Sequence, residues 1–289
     1  MNLNNKDFIL TVNLAMFKMA DEKRTDIKKL PQKELMVLLT KRRRAPYKDC
    51  WSFPYGFVNI DESLDDAVYR ELAEKTNLKS IYFEQLYTWG ALDRDPSARV
   101  IATSYIAMVQ NENISTEAAE DSDYMKWFSV KKKLISAERR SDEQLISEYI
   151  ITLQNGTEEA EMAYTVTEDI AAAGFEKRTK YSYQLHQSAK ERMAYDHIKI
   201  LDCALDRIKN KVLYTNIAFG LIPEQFTLTE LQQVYEVLLG KSLIKPNFRK
   251  WVNKKVEPTE DTKKDGAHRP SKLYRLRRAS IIEDPDVFG

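Results

Sequence analysis

Glu62, Arg70, Glu71 and Glu74 are the residues whose types and spacing could do chemistry, and they stand within the stretch from Gly56 to Leu78. Residues three or four apart on a helix are neighbours, so Glu71, Glu74 and position 75 make one compact carboxylate site when all three are acidic. Such an oxygen cluster suits a hard divalent cation such as Mg²⁺, which can activate water for hydrolysis. Position 75, however, is Lys. An ammonium there removes one negative charge and adds a positive one, so a cation is disfavoured twice. Lys75 follows Glu71 by four residues, the favourable order for a helical ion pair, and is placed to act as a built-in cation. The other expectation leaves Lys75 in solvent, with a weak metal site on Glu71 and Glu74.

These side chains need a helix to position them. Ser63 is a cap, with Asp65 and Asp66 in the first turn where carboxylates suit the helix dipole. Leu64, Ala67, Val68, Leu72 and Leu78 recur at helical intervals and require a surface to pack on. Upstream, Phe8 to Lys18 alternates as a strand, Ala20 to Lys33 is a polar loop, and Glu34 to Thr40 is apolar enough for the middle of a sheet. Downstream, Ser80 to Trp89 and Val100 to Gln110 read as strands around a loop at 90–99, and Lys126-Trp127-Phe128 ends the core. Residues 132–192 read as an insertion with no chemistry assigned to it. It contains a hairpin of Glu148 to Leu153 and Glu161 to Val166 turning at Asn155-Gly156, and a helix over Glu168 to Phe175.

The last third has a different character. Tyr195 to Lys209 is an amphipathic helix. Thr227 and Glu230 match a capping box that opens a second helix stopped by Gly240, and Pro246 to Lys254 is a third. Phe248, Trp251 and Val252 face inward on it, leaving Asn247, Arg249, Lys250 and Asn253 outward, where they suit base edges and phosphates of a duplex. A charged hairpin follows, on which Lys263, Lys264, His268, Arg269 and Lys272 suit phosphate contact. From Lys241 to Arg278 there are 13 Lys and Arg against 4 Asp and Glu, although the net charge of the chain is only +1. A basic block of this kind is either a solvated face or a nucleic-acid surface.

The order of Gly56, Glu62, Arg70-Glu71-Leu72 and Glu74 resembles the signature of the Nudix family, with Tyr55, Lys75 and Asn77 departing from it. The last third resembles the winged-helix domain of the Nudix-related transcriptional regulators (NrtR type). The resemblance implies an α/β fold, a Nudix α/β/α sandwich with a C-terminal winged helix-turn-helix domain. The expected division is 1–192 for the Nudix-like domain with its insertion, 193–280 for the winged helix and 281–289 for a tail. It implies a ligand-responsive repressor that senses ADP-ribose or a related metabolite and binds an operator as a homodimer. The loop with Arg94, Asp95 and Arg99 resembles the Arg-Asp-Pro loop of ADP-ribose pyrophosphatases and derived regulators. With Arg42 and Arg70 these are the expected ligand residues, although Asp95-Pro96 also makes a turn unaided.

Composition narrows the alternatives. A chain of 289 residues with 43% hydrophobic and 31% charged residues is long enough for two soluble domains, and no apolar run is long enough to span a membrane. Cys50 and Cys203 suggest neither a disulfide framework nor a zinc site, and a cytoplasmic location is expected. No cofactor is expected, with Mg²⁺ required only if hydrolysis of a nucleoside diphosphate sugar persists. That hydrolase, a sugar-responsive regulator of the same family, and a protein-interaction adaptor remain the alternatives.

Overall fold

The computed structural model describes residues 8–22, 31–76, 82–110, 124–156, 161–264 and 270–282. Strand β1 (Ile9–Asp21) pairs antiparallel with β2 (Lys33–Lys41), Phe17 lying opposite Val37. Ala15, Phe17, Val37 and Leu39 enter one apolar cluster, whereas Val12, Leu14, Met16 and Leu38 enter another. Both faces are covered, which is why these strands read as nearly continuous apolar runs.

Two short strands, β3 (Trp51–Ser52) and β4 (Tyr55–Phe57), pair with β2 and β1, and lead into helix α1 (Leu64–Thr76). Ser63 Oγ accepts from the Asp66 N–H at 3.1 Å, capping α1, while Ala67, Val68 and Leu72 cover the Val12, Leu14 and Met16 face of the sheet. Lys75 belongs to α1, but its side chain lies outside the described residues, as do Asn77 and Leu78. The Glu71–Lys75 ion pair expected from the sequence therefore also falls outside them.

The sheet continues with β5 (Tyr82–Trp89), β6 (Val100–Met108), β7 (Tyr124–Ser141), β8 (Gln144–Gln154), β9 (Glu161–Ala173) and β10 (Glu176–Leu185). Its order is β10-β9-β8-β7-β2-β1-β6-β5, with β1 parallel to β6. The inserted segment extends the sheet beyond β2. Its turn contains Gly156 at φ 77°, the conformation for which Asn-Gly is favoured. The helix expected over Glu168 to Phe175 is absent: β9 runs through Ala173, paired to β8 on one side and β10 on the other. Two flanking ladders satisfy its backbone, and they outweigh the helical preference of Ala171-Ala172-Ala173.

Beyond the sheet come α2 (His197–Lys211), a 3-10 turn over Ile217–Leu221, α3 (Leu228–Leu239), α4 (Lys245–Val252), the hairpin β11 (Val256–Lys263) and β12 (Ser271–Leu276), and α5 (Arg278–Ile282). Thr227 and Glu230 form the reciprocal capping box of α3, and Gly240 ends it at φ 66°. Ile198, Leu201, Ala204 and Ile208 of α2 join Ala15, Phe17, Ile106 and Met108 on the sheet, and the same cluster runs on through Leu231, Val234, Leu238, Phe248 and Val252. The C-terminal helices thus share one apolar core with the sheet. Gln233 Nε2 donating to the Pro31 carbonyl at 3.0 Å and Gln110 Nε2 donating to that of Phe219 at 3.0 Å join the halves further. Among the described residues, no helix is long and apolar enough to cross a membrane.

Candidate ligand cleft and nucleic-acid interface

On the α1 side, Arg70 gathers the carboxylates. Its guanidinium donates to Glu62 at 2.8 and 3.1 Å, to Glu71 at 2.7 Å and to the Phe57 carbonyl at 2.8 Å, and it lies 3.8 Å from Glu74. These bonds, with that from the Asn59 amide, hold the Glu62 carboxyl at about 2, well below the usual range. Glu71 is buried, and a Cβ at position 56 would stand 1.9 Å from its Oε1, so only glycine lets β4 pass this carboxylate.

The fit to a divalent cation can be judged from these donors. Arg70 already engages Glu71, Glu74 is largely exposed, and the third position of the cluster carries an amine. Among the described residues, no three His, Cys, Asp or Glu side chains could hold a metal together. The donor set does not fit a catalytic Mg²⁺.

On the opposite face, β1, β4, the 90–99 loop and the residues leading into α2 enclose a cavity of about 190 Å³. Arg42, Arg94 and Asp95 line it together with Thr11, Asn13, Tyr55, Phe57, Tyr195 and His197. Arg42 is buried, its Nε donating to the Pro46 carbonyl at 3.0 Å, and its guanidinium lies 4.8 Å from the Tyr195 ring and 5.8 Å from that of Tyr55. Arg94 is buried against Asp196, with Nε and Nη2 donating to the two carboxylate oxygens at 3.1 and 2.9 Å. A second cavity of about 390 Å³, lined by Tyr47, Tyr164, Tyr183, Arg192 and Asp196, shares Arg94 and Tyr195 with the first.

The remaining expected ligand residues sit elsewhere. Asp95 Oδ1 accepts from the Ser97 amide at 2.8 Å and hydroxyl at 2.6 Å, which makes it a turn former as well as a cavity wall. Arg99 donates to the Gly90 and Ala91 carbonyls at 2.9 and 3.1 Å, closing its own loop, and neither Arg99 nor Arg70 lines the cavity. Sequence reasoning missed Asn13, Tyr195, Asp196 and His197. Asn13 was visible as a polar residue inside an apolar strand, but the other three carried no local signal.

Residues 194–197 bind these parts together. The Ala194 N–H donates to the Trp51 carbonyl at 2.7 Å, the Phe53 N–H donates to His197 Nδ1 at 2.9 Å, and Tyr195 takes φ 53°. Asp196 is the N-cap residue of α2, yet its carboxylate makes no cap and serves Arg94 instead. Burial, with the Arg94 and Arg42 cations, pushes His197 down to about 3 against the opposing Asp196 charge, so its ring is neutral at pH 7.

At the far end of the molecule, Phe248 and Val252 root α4 in the core, while Asn247, Arg249, Lys250 and Asn253 are exposed along it. Trp251, expected to face inward, stands at the rim, 36% exposed, edge-on to Tyr235 at 5.2 Å with Lys255 over its ring, because the short helix turns only one stripe to the core. On the hairpin, Lys264 and Lys272 are exposed, Lys263 is bonded to the Glu230 carboxylate, and His268 and Arg269 lie outside the described residues.

A mixed sheet with a Gly-Glu-Arg-Glu helix on one face, and a helix-helix-hairpin unit seated beside it, defines a metabolite-cleft domain joined to a winged helix. Comparison with known proteins agrees: the NUDIX domain model matches residues 28–149 and the NrtR DNA-binding winged helix domain model matches residues 218–276. An ADPR responsive transcriptional repressor NtrR of Acinetobacter baylyi is 27% identical over 271 residues, 93% of this chain and 82% of that protein. A MutT/nudix family protein from Enterococcus faecalis matches with a TM-score of 0.64 at 26% identity, over 94% of this chain and 88% of its own. Shewanella oneidensis NrtR complexed with a 27mer DNA matches with a TM-score of 0.60 at 26% identity, over 93% of both chains. The chain thus carries a NUDIX domain followed by an NrtR-type DNA-binding winged helix domain, the arrangement of the NrtR-type regulators it resembles.

Proposed function

We propose that the protein is a transcriptional repressor that binds its operator as a homodimer and is released by ADP-ribose or a related nucleotide sugar held in the cleft. The observation that carries this reading is the Arg94–Asp196 pair: a cavity-lining guanidinium is bonded to the N-cap residue of α2, the helix on which the winged helix packs. An anionic group of the effector entering the cavity competes with Asp196 for Arg94 and shifts the head of α2. Control requires that the effector bind the DNA-competent and DNA-incompetent states unequally, and a wall shared between cavity and α2 supplies such a difference. The repressor activity of the Acinetobacter relative, named for its response to ADPR, supports the choice of effector.

In this reading Asn247, Arg249, Lys250 and Asn253 enter the major groove, and Lys264 and Lys272 meet phosphates beside it. Lys263, already paired to Glu230, ties the hairpin to α3. Operator binding places the protein in the cytoplasm. Gel-shift titration of the full chain with ADP-ribose is expected to weaken operator binding by about tenfold or more, a coupling of ordinary allosteric size. Unchanged operator affinity at saturating ligand rejects ADP-ribose as the effector.

Hydrolysis plays no part in the proposal, because the amine at position 75 stands where the cluster needs an anion. Lys75→Glu is expected to raise Mg²⁺ affinity at least tenfold, roughly the effect of reversing one charge at close range, as measured by titration calorimetry. Turnover of ADP-ribose by the unmodified protein at ordinary enzyme rates, on the order of 1–1,000 per second, would contradict this.

A further inference from the structure

Asp202 of α2 is 2% exposed and faces the inserted segment, to which sequence reasoning assigned no chemistry. Its carboxylate lies 2.6 Å from Lys132 Nζ and accepts from the Tyr183 hydroxyl at 2.9 Å. The same amine donates to both oxygens of Asp206, one turn further along the helix, at 2.8 and 2.9 Å, and stands 4.7 Å from the centre of the Tyr149 ring. One cation of β7, with β8 and β10 beside it, thus grips two successive turns of α2. A buried ion pair is a poor way to gain stability, since apolar residues of similar size do as well, but it fixes a register where an apolar face alone lets a helix slide.

The grip lies midway along the helix. Asp196 at the head is bonded to Arg94 of the cleft loop, and at about 1.5 Å per residue it is roughly 12 Å from the midpoint of Asp202 and Asp206. Lys211 at the tail is about 10 Å away in the other direction. There the helix is joined to β5 by Lys211 to the Glu84 carboxylate and by Arg207 to the Leu86 carbonyl at 3.2 Å, through long side chains of its own that bend as the backbone shifts. Just beyond, the Lys255 amine donates to the Thr215 carbonyl at 3.3 Å and to Asn216 Oδ1 at 3.1 Å, while the Lys255 N–H donates to the Val252 carbonyl at 2.8 Å. The tail of α2 is therefore tied to the end of α4.

We propose that Lys132 is a positioning residue for the operator response: it holds the middle of α2 against the inserted sheet, so that a displacement of the helix head at Arg94 reaches the tail and, through Lys255, α4 in the opposite sense. Arms of nearly equal length pass on a shift of about 1 Å undiminished. Without a fixed point the same shift is lost in sliding along the apolar contacts of Ile198, Leu201, Ala204 and Ile208 with the sheet. This inference rests on the effector reading above and gives the inserted segment its part in it.

The test uses the full chain, the operator duplex and ADP-ribose. Lys132→Met together with Asp202→Asn leaves no stranded charge and keeps an acceptor for the Tyr183 hydroxyl. Thermal-shift titration is expected to give this double variant the ADP-ribose affinity of the unmodified protein, and gel shift the same operator affinity without ligand. The weakening of operator binding by saturating ADP-ribose is expected to shrink from about tenfold to less than about threefold. Lys132→Arg, which still bridges the two carboxylates, should keep the full response. Asp206→Asn changes a side chain that is 40% exposed, so it folds even where the double variant does not, and it should show a reduced response. A merely structural role lowers the melting temperature but leaves the ratio of operator affinities with and without ligand where it was. A full response in the double variant or, where that does not fold, in Asp206→Asn therefore overturns the proposal. An unmodified protein whose operator affinity ignores ADP-ribose brings down the effector reading itself, and this inference with it.

Discussion

Arg249→Ala is expected to lower operator affinity by about 10- to 100-fold, the range for loss of one bidentate contact between arginine and a guanine edge. The argument is geometric. Phe248 at 5% exposure and Val252 at 0% root α4 in the core, and they turn the positions next to Phe248 outward. The Arg249 side chain is exposed, whereas its backbone carbonyl accepts from the Asn253 N–H at 3.0 Å and belongs to the helix. Removing the guanidinium therefore touches neither core nor cap, and stability should change by less than about 0.5 kcal/mol. Lys250→Ala separates base reading from phosphate contact: it should weaken all sequences alike and lower the salt slope by about one. Fluorescence anisotropy with specific and scrambled duplexes over a salt series checks both. Operator affinity unchanged by Arg249→Ala would remove α4 from the interface.

Breaking the pair between cavity and helix should have the other large effect. Side chains of Arg94 and Asp196 are 6% and 9% exposed, and Asp196→Ala leaves a guanidinium buried without its partner. The cost is about 3–5 kcal/mol, or a melting temperature lower by roughly 5–15 °C. Replacing both residues, Arg94→Met with Asp196→Leu, removes the stranded charge and should recover most of that loss. The double variant should nevertheless bind operator with the same affinity whether or not ADP-ribose is present, because nothing remains for an anion to compete over. Scanning calorimetry reads the first expectation and gel shift the second. A double variant that still responds to ligand like the unmodified protein would show that the signal leaves the cleft by another route.

Much of the fold was legible because its signals are short. Thr227 and Glu230, three residues apart, cap α3 as their types require, and Gly240 takes the left-handed conformation that ends it. That Gly56 and Glu71 meet was not legible: the carboxylate occupies the space a side chain at 56 would need, and only the folded chain shows it. The segment around Ala171 misled for the same reason: its local preference is helical, but strands on either side hold it extended.

The sequence by itself determined most of the elements, the two resemblances, the outward row on α4 and the misplaced amine at position 75, all of which depend on residues a few places apart. Only the tertiary structure decided that Arg94 faces Asp196 across 102 residues of chain, that Asn13 faces a cavity, and that α2 belongs to the same core as the sheet. Side-chain type states what a residue can donate or accept, whereas its partner is chosen by strand order and helix packing, and contacts between distant segments leave no periodic trace along the chain.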